Sequence, residues 1–502
     1  MNTTGSKTLY RPALLYAGGE WIRSGEVLVD EQGIIERIGS KLDSKPDSGL
    51  GPGEPGSSAG PNRSAAALRV VELPGKALLP GLVNAHSHAF QRLIRGRTEA
   101  REGRATGSCD FWSWRPTMYY AAGRLDPRQV FDVARMAFLE MALSGITAVG
   151  EFHYLHKGSD GRAYDDPNLL ARQVIAAAQS VGIRIVLLRC AYLRSGFELP
   201  PDPGQRRFIE SGAEFLRNME ALLQVRSAQV HFGVAPHSLR AVPLPELREI
   251  AEWTQAHRLP LHMHVSEQLA ENAACLREYG ATPVTLLERE GLLHSAFTAV
   301  HAVHVSPREI AALARAAVTV CSCPTTERNL GDGFVPADAM LAAGVSIALG
   351  SDSQAQIDPL EDARQLEYHL RLLRQRRAIL DLGRDEPAGQ MTAPSLAARL
   401  FRCATVDGAR SLGLSGGELW TGRPADFFTV DLEDCSIAGA TAADLLPLLV
   451  FALNRSAVRD VVVQGRSVLR DGRHPAQAEI VERHGQLHAA VWSGAGRSSD
   501  RP

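Results

Sequence analysis

The sequence predicts an α/β protein: a (β/α)8 barrel of the TIM type carrying a small β-sandwich domain formed from both chain ends. Three features predict it. Between residues 79 and 415, apolar segments alternate with amphipathic stretches, as parallel strands buried on both faces and crossed over by helices require. Both chain ends instead read as short strands and turns. No GxGxxG follows the first strand of the central region, which argues against a doubly wound dinucleotide-binding sheet.

Residues 1–78 open with strand-and-turn alternation in "ALLYAGGEWIRSGEVLVDEQGIIERIG" and return to strand character in "LRVVELPGKALLPG". The Gly/Ser/Pro-rich stretch 39–66 between them buries too little apolar surface to order itself and reads as a flexible insertion. The barrel strands are then "GLVNAHSH", "TAVGEFH", "IRIVLLRCAYL", "VHFGVAPHS", "LHMHVSE", "TAVHAVHV", "AVTVCSCP" and "VSIALGSDS". Stretches such as "PRQVFDVARMAFLEMALSG" and "PNLLARQVIAAAQSVG" carry helical periodicity between them. Residues 416–484, with "GRPADFFTVDLED" and "VRDVVVQGRSVLRDGRH", supply the second part of the small β domain, and 485–502 read as a loose tail.

A chain of 502 residues exceeds one ordinary core, which fits a barrel plus a smaller domain. Its formal net charge of -2 gives no sign of a nucleic-acid partner. Cys109, Cys190, Cys275, Cys321, Cys323, Cys403 and Cys435 are odd in number and contain no CxxC, against a disulfide framework or a thiolate zinc site. No apolar run reaches membrane-spanning length, and the residues ahead of Leu9 lack an apolar signal core. A cytoplasmic protein without membrane partners is the expectation.

The chemistry gathers at the strand ends, the catalytic face of such a barrel. His86 and His88 share one face of the first strand, because side chains alternate across a strand. His262 and His264 end the fifth strand, Glu267 lies a short turn beyond, His301 lies in the sixth and Asp352 ends the eighth. Three imidazoles and a carboxylate suit Zn²⁺ with a position open for water. His262 and His264 share a face, so spacing alone does not choose between them. No lysine ends the fourth strand to bridge a second metal, which favours one zinc per chain. His304 falls on the face opposite His301 if the strand continues. Cys321 and Cys323 have no thiolate partners and read as packing residues.

The segments "LLPGLVNAHSHAFQR", "LHMHVSEQ", "VHAVHV", "CPTTERNLGDG" and "GSDSQ" resemble the amidohydrolase superfamily, in its mononuclear deaminase branch, from about residue 8 to about 475. Within that branch, "HSHAFQR", "FWSWRPTMY", "EFHYLHK", "APHSLRAV" and "CPTTERNLGDG" are similar to the formimidoylglutamate deiminases. Purine deaminases of the branch carry an Asn where this chain has Glu327; the 39–66 insertion and Arg328 are its departures from the deiminase pattern.

The resemblance implies one Zn²⁺ held by His86, His88, His264 and Asp352, with Glu267, His301 and Asp352 catalytic and His262 left behind the site. It implies substrate contacts from Gln91, Arg115, Tyr154, His237 and Arg240, the two arginines matching the carboxylates of a small dicarboxylate bidentately. Arg92, Arg95 and Arg97 read as solvated. The implied reaction converts N-formimidoyl-L-glutamate to N-formyl-L-glutamate and ammonia in histidine degradation, by a homodimer. The alternative is a deaminase of a purine, pterin or triazine ring, which predicts aromatics in place of paired arginines.

Overall fold

In the computed structural model, residues 6–40, 68–99, 111–200, 202–383 and 395–493 are described. The N-terminal part supplies β1 (Thr8–Ala17), β2 (Glu20–Arg23), β3 (Gly25–Val29), β4 (Ile35–Ser40) and β5 (Arg69–Pro80). The barrel strands follow as β6 (Leu82–Ser87), β7 (Ile146–His153), β8 (Arg184–Ala191), β9 (Val230–Pro236), β10 (Leu261–Val265), β11 (Phe297–His301), β12 (Thr319–Ser322) and β13 (Ser346–Leu349). The C-terminal part adds β14 (Phe427–Asp431), β15 (Val458–Val463) and β16 (Arg466–Leu469). Each of the eight predicted barrel segments matches one of these parallel strands, with β7 and β11 beginning one residue earlier than predicted, at Ile146 and Phe297.

Strands β6 to β13 pair in sequence order, all parallel. The ring is drawn together at its C-terminal rim by the parallel bridge of Ser87 with Asp352. The amide of Asp352 donates to the His86 carbonyl at 3.0 Å and the amide of His88 to the Asp352 carbonyl at 3.0 Å. The covering helices obey local rules. Pro127–Leu143 starts at a capping box, Asp126 with Gln129, and has proline in its first turn. Leu169–Val181 stops at Gly182, whose φ of 98° belongs to the left-handed region that glycine enters freely.

The terminal strands form one mixed sheet, ordered β16-β15-β14-β5-β1-β3-β4 with β2 on β1, so both chain ends build the small domain as predicted. Strand alternation gives this sheet two apolar faces. Leu14, Leu79, Phe428 and Val461 join the large core that also contains the barrel. Leu15, Leu78, Phe427 and Val462 join a separate small core.

The sequence reading is corrected beyond residue 484. Gln477–Trp492 is a helix, with Ile480, Leu487 and Val491 buried, so residues 485–492 are packed and not a loose tail. Its Trp492 Nε1 donates to the Leu93 carbonyl at 3.2 Å. Leu445–Phe451 is a further helix outside the small sheet; Arg364 ties this segment to the barrel helix Pro359–Arg374 through the carbonyls of Val450 (2.6 Å) and Leu453 (2.8 Å). The expected insertion 39–66 lies outside the described residues except for its first two, which end β4. No described helix is long and apolar enough to cross a membrane.

Candidate active site

At the C-terminal rim, the end of β6, strand β10 and the loop just beyond β13 deliver four side chains to one point. The ligand atoms of His86, His88, His264 and Asp352 lie within 4.8 Å of one another, and all four residues are buried. Asp352 Oδ1 stands 3.3 Å from His86 Nε2 and 3.2 Å from His88 Nε2. His88 Nδ1 is 2.8 Å from the Phe152 carbonyl and His264 Nδ1 is 2.9 Å from the His237 carbonyl. A carbonyl only accepts, so each of these rings carries a proton on Nδ1 and turns its Nε2 inward. Burial pushes the His86 imidazole down to about 3 and His264 well below its ordinary range, keeping both neutral. Burial alone would raise Asp352, but the imidazoles of His86 and His88 against it hold its carboxyl well below the usual range. Neutral imidazoles and an ionised carboxylate are what a divalent cation needs, so the donor set fits zinc.

A second cluster, centred on His301, adjoins the first. His301 Nε2 is 3.7 Å from Glu267 Oε1 and 3.8 Å from Asp352 Oδ2. Its Nδ1 is 3.3 Å from Glu327 Oε1. Glu327 is itself fixed by the Cys323 amide (2.7 Å) and the Ser322 hydroxyl (3.0 Å). Burial would lower the His301 imidazole, yet the carboxylates of Glu267, Glu327 and Asp352 carry it well above its usual range. Burial raises the Glu267 carboxyl, with the Asp352 charge adding and His301 opposing. The backbone is strained here: Ser266, His301, Ala302 and Asp352 hold φ of 53°, 70°, 52° and 45°, where side chains other than glycine rarely go.

One pocket gathers His88, Gln91, Arg115, Tyr154, His237, Arg240, His264, Glu267, His301 and Asp352; His86 lies fully buried behind His88 and Asp352. Gln91 Nε2 donates to the Tyr154 hydroxyl at 2.7 Å. Arg115, on the helix Phe111–Ala122, donates from Nε to the Tyr119 hydroxyl at 2.9 Å, and Gln205 Nε2 donates to that oxygen at 2.7 Å. Arg240 is buried, with Phe111 and Trp112 rings 5.7 and 5.6 Å from its guanidinium carbon, and its Nε has no hydrogen-bond partner among the described residues.

By strand alternation His262 shares the face of His264, yet its Nε2 meets the Ser411 carbonyl at 2.8 Å and it does not line the pocket. Strand β11 stops at His301, so His304 sits in the following loop, its amide donating to the Ser266 carbonyl at 3.0 Å. Cys321 and Cys323 pack with Ala85, Val300 and Ala348, though Cys323 also comes close to His301 and Asp352. Arg92 and Arg95 are half-buried and paired, not free in solvent. They meet Glu140 at 2.5 and 2.8 Å, and Arg95 also reaches the Gln354 carbonyl; Arg97 alone is exposed, 4.5 Å over the Trp492 ring.

Reading by sequence missed Glu327 as the partner of His301, although its four-residue spacing from Cys323 was a signal. It also missed the pocket walls Phe111, Trp114, Tyr119, Tyr192 and Phe208. These come from separate segments, and no spacing marks their convergence. The rings and the paired arginines occur together, so aromatic lining by itself does not separate the two predicted substrate classes.

Comparison with known proteins bears on this site. The Amidohydrolase family model matches residues 77–468. The chain is 39% identical over 406 residues to the formimidoylglutamate deiminase of Pseudomonas aeruginosa, covering 80% of this chain and 87% of that one. It is 27% identical to the 5-methylthioadenosine/S-adenosylhomocysteine deaminase of Natronomonas pharaonis, covering 85% of this chain and 89% of the relative. Among solved structures, an amidohydrolase from Brucella melitensis superimposes with a TM-score of 0.82 at 30% identity, over 97% of this chain and 99% of that chain.

Proposed function

Given that the chain belongs to the amidohydrolase family and is a hydrolase of C–N bonds, we propose that it deiminates N-formimidoyl-L-glutamate to N-formyl-L-glutamate and ammonia, in histidine degradation. The observation that carries this reading is the pair of guanidinium groups, Arg115 and Arg240, lining the pocket that also contains His88, His264, Glu267 and Asp352. A buried cation of this kind asks for an anion, and a dicarboxylate brings two.

His86, His88, His264 and Asp352 are the residues that would hold one zinc ion. When bound, zinc supplies a water acidified to a pKa near ~7. The chain's own groups do the rest. Arg115 and Arg240 take the carboxylates, and Gln91, Tyr154 and His237 orient the formimidoyl group. Asp352 takes the proton that water gives up as its oxygen bonds to the formimidoyl carbon, and the His301 imidazole, kept charged by its carboxylate neighbours and 3.8 Å from Asp352 Oδ2, steadies that carboxylate. Glu267, with its carboxyl raised by burial, delivers a proton to the imino nitrogen. The C–N bond then breaks as the hydroxyl proton of the tetrahedral adduct passes through Glu267 to the nitrogen, which leaves as ammonia; the carbon–oxygen double bond of the formyl amide forms, and the proton held at Asp352 restores the Glu267 carboxyl. Glu327 holds the His301 ring in the orientation that turns Nε2 toward Asp352 and Glu267. The reading includes a homodimer in the cytoplasm, for which light scattering on the purified protein is the check.

A second reading, deamination of a purine, pterin or triazine ring, draws on the aromatic walls Phe111, Trp114, Tyr119, Tyr192 and Phe208. Ammonia release measured on formimidoylglutamate, methylthioadenosine and guanine separates the two. The deiminase reading expects turnover of the first compound far above the others, with about one zinc per chain and loss of activity to chelators. Preferred turnover of a ring compound, or two metals per chain, overturns it.

A further inference from the structure

Behind the four converging side chains lies a second set of polar groups, none of which lines the pocket. Ser87 stands between His86 and His88 and points to the opposite side of the strand. Its hydroxyl donates to Glu151 Oε2 at 2.6 Å, and the amide of Ala89 donates to Glu151 Oε1 at 2.7 Å. Gln354, two residues beyond Asp352, donates from Nε2 to Ser87 Oγ at 2.8 Å and to the Asp352 carbonyl at 3.0 Å. Its Oε1 accepts from Ser351 Oγ at 3.0 Å. Asn84 completes the chain, donating from Nδ2 to Ser351 Oγ at 2.7 Å and accepting from the Ser351 amide at 2.9 Å.

All five of these residues are buried. The bonds run in one sense, so each serine hydroxyl gives one and takes one, and both ends of the Gln354 amide are used. Gln354 also holds a φ of 62°, where glycine or asparagine is the easier choice. A fully buried glutamine at such a position is explained by what its side chain bonds, not by its backbone.

We propose that Gln354 is a positioning residue of the metal centre, clamping the closing seam of the barrel so that Asp352 is registered against His86 and His88. It ties the carbonyl of one ligand residue to the hydroxyl that lies between two others. The same seam also carries the two backbone bonds between Asp352 and the His86–His88 segment and the Asn84–Ser351 pair, and Gln354 alone of these side chains bonds a ligand residue's carbonyl. The inference rests on reading His86, His88, His264 and Asp352 as the metal site.

The test is Gln354→Leu in the full chain, with zinc affinity read by competition against a chromophoric chelator and ligand geometry read from the visible bands of the cobalt-loaded protein. A folded variant should lose ~10–100-fold in zinc affinity and show displaced cobalt bands. Ser351→Ala removes a bond to the Gln354 amide without touching a ligand, and should shift both readings the same way by less. Thr254→Val removes a buried hydroxyl bonded inside its own helix, 2.6 Å from the Ile250 carbonyl, and should leave affinity and bands unchanged even where it lowers Tm. A folded Gln354→Leu protein with wild-type affinity and bands overturns the proposal. Should that variant not fold, wild-type readings from Ser351→Ala overturn it instead. A wild-type chain that binds no zinc, or a His264→Ala chain that binds it as tightly as wild type, would strike the metal reading itself.

Discussion

A carboxyl that delivers a proton near neutral pH needs its charged form disfavoured, and Glu267 has that environment: burial and the Asp352 charge both raise it. On the proposed reading Glu267→Gln keeps the fold and most of the zinc, and turnover falls by at least ~10²-fold in an ammonia-release assay. Turnover within a few fold of wild type would remove Glu267 from the proton path. Arg115 and Arg240 test substrate identity in place of proton transfer. Removing one partner of a buried charge pair costs ~2–5 kcal/mol. Arg115→Met and Arg240→Met should therefore lower kcat/KM on formimidoylglutamate by roughly 30-fold to several-thousand-fold, with zinc content unchanged. Both variants at wild-type kcat/KM would shift the reading to a ring deaminase. At this scale the strand-end residues were legible because His, Glu and Asp in buried apolar segments stand out. Tyr119, Tyr192 and Phe208 were not, since an aromatic in an apolar run reads equally well as core.

Elements differ in how clearly they write themselves. The barrel strands were readable because both faces are buried, which makes each a short, nearly continuous apolar run. The helix Gln477–Trp492 was not, although Ile480, His484, Leu487 and Val491 follow helical spacing. A histidine occupies one position of the stripe, and Gly485 weakens the rest. Its place in the fold gives it a consequence at the pocket. The Trp492 ring stacks on Tyr120, with centroids 5.3 Å apart and planes 19° apart. Tyr120 belongs to the helix Phe111–Ala122 that carries Arg115. An aromatic pair is worth ~0.5–1.5 kcal/mol beyond its buried area, so Trp492→Ala should raise KM for formimidoylglutamate roughly 2- to 10-fold and change kcat less. Truncation after residue 484 should add a clear fall in Tm, because Leu487 and Val491 are lost from the core. Unchanged KM and Tm in the truncated chain would return the segment to the status of a tail.

At the scale of the whole molecule, the small sheet and the barrel share a core, so their stabilities are coupled. Residues of β1, β5, β14 and β15 lie in the same apolar cluster as the barrel strands. One buried ion pair crosses the same boundary: Arg184, at the start of β8, donates from a terminal guanidinium nitrogen to Asp426 Oδ2 at 2.6 Å, with both side chains at 5% exposure or less. Asp426 also accepts from the Gln464 amide at 2.8 Å, which fixes the turn after β15. Breaking a buried pair on one side leaves the other charge desolvated and uncompensated, at a cost of ~3–5 kcal/mol. Arg184→Met should therefore lower Tm markedly, and calorimetry should still show a single transition, since neither part keeps its apolar face covered without the other. The double variant Arg184→Met/Asp426→Leu removes both charges and should regain much of the loss, because two apolar side chains replace an unpaired carboxylate. Two resolved transitions in Arg184→Met would instead mean that the sheet built from the chain ends unfolds on its own. The barrel would then hold its rim, and with it the His86–Asp352 seam, without support from the small domain.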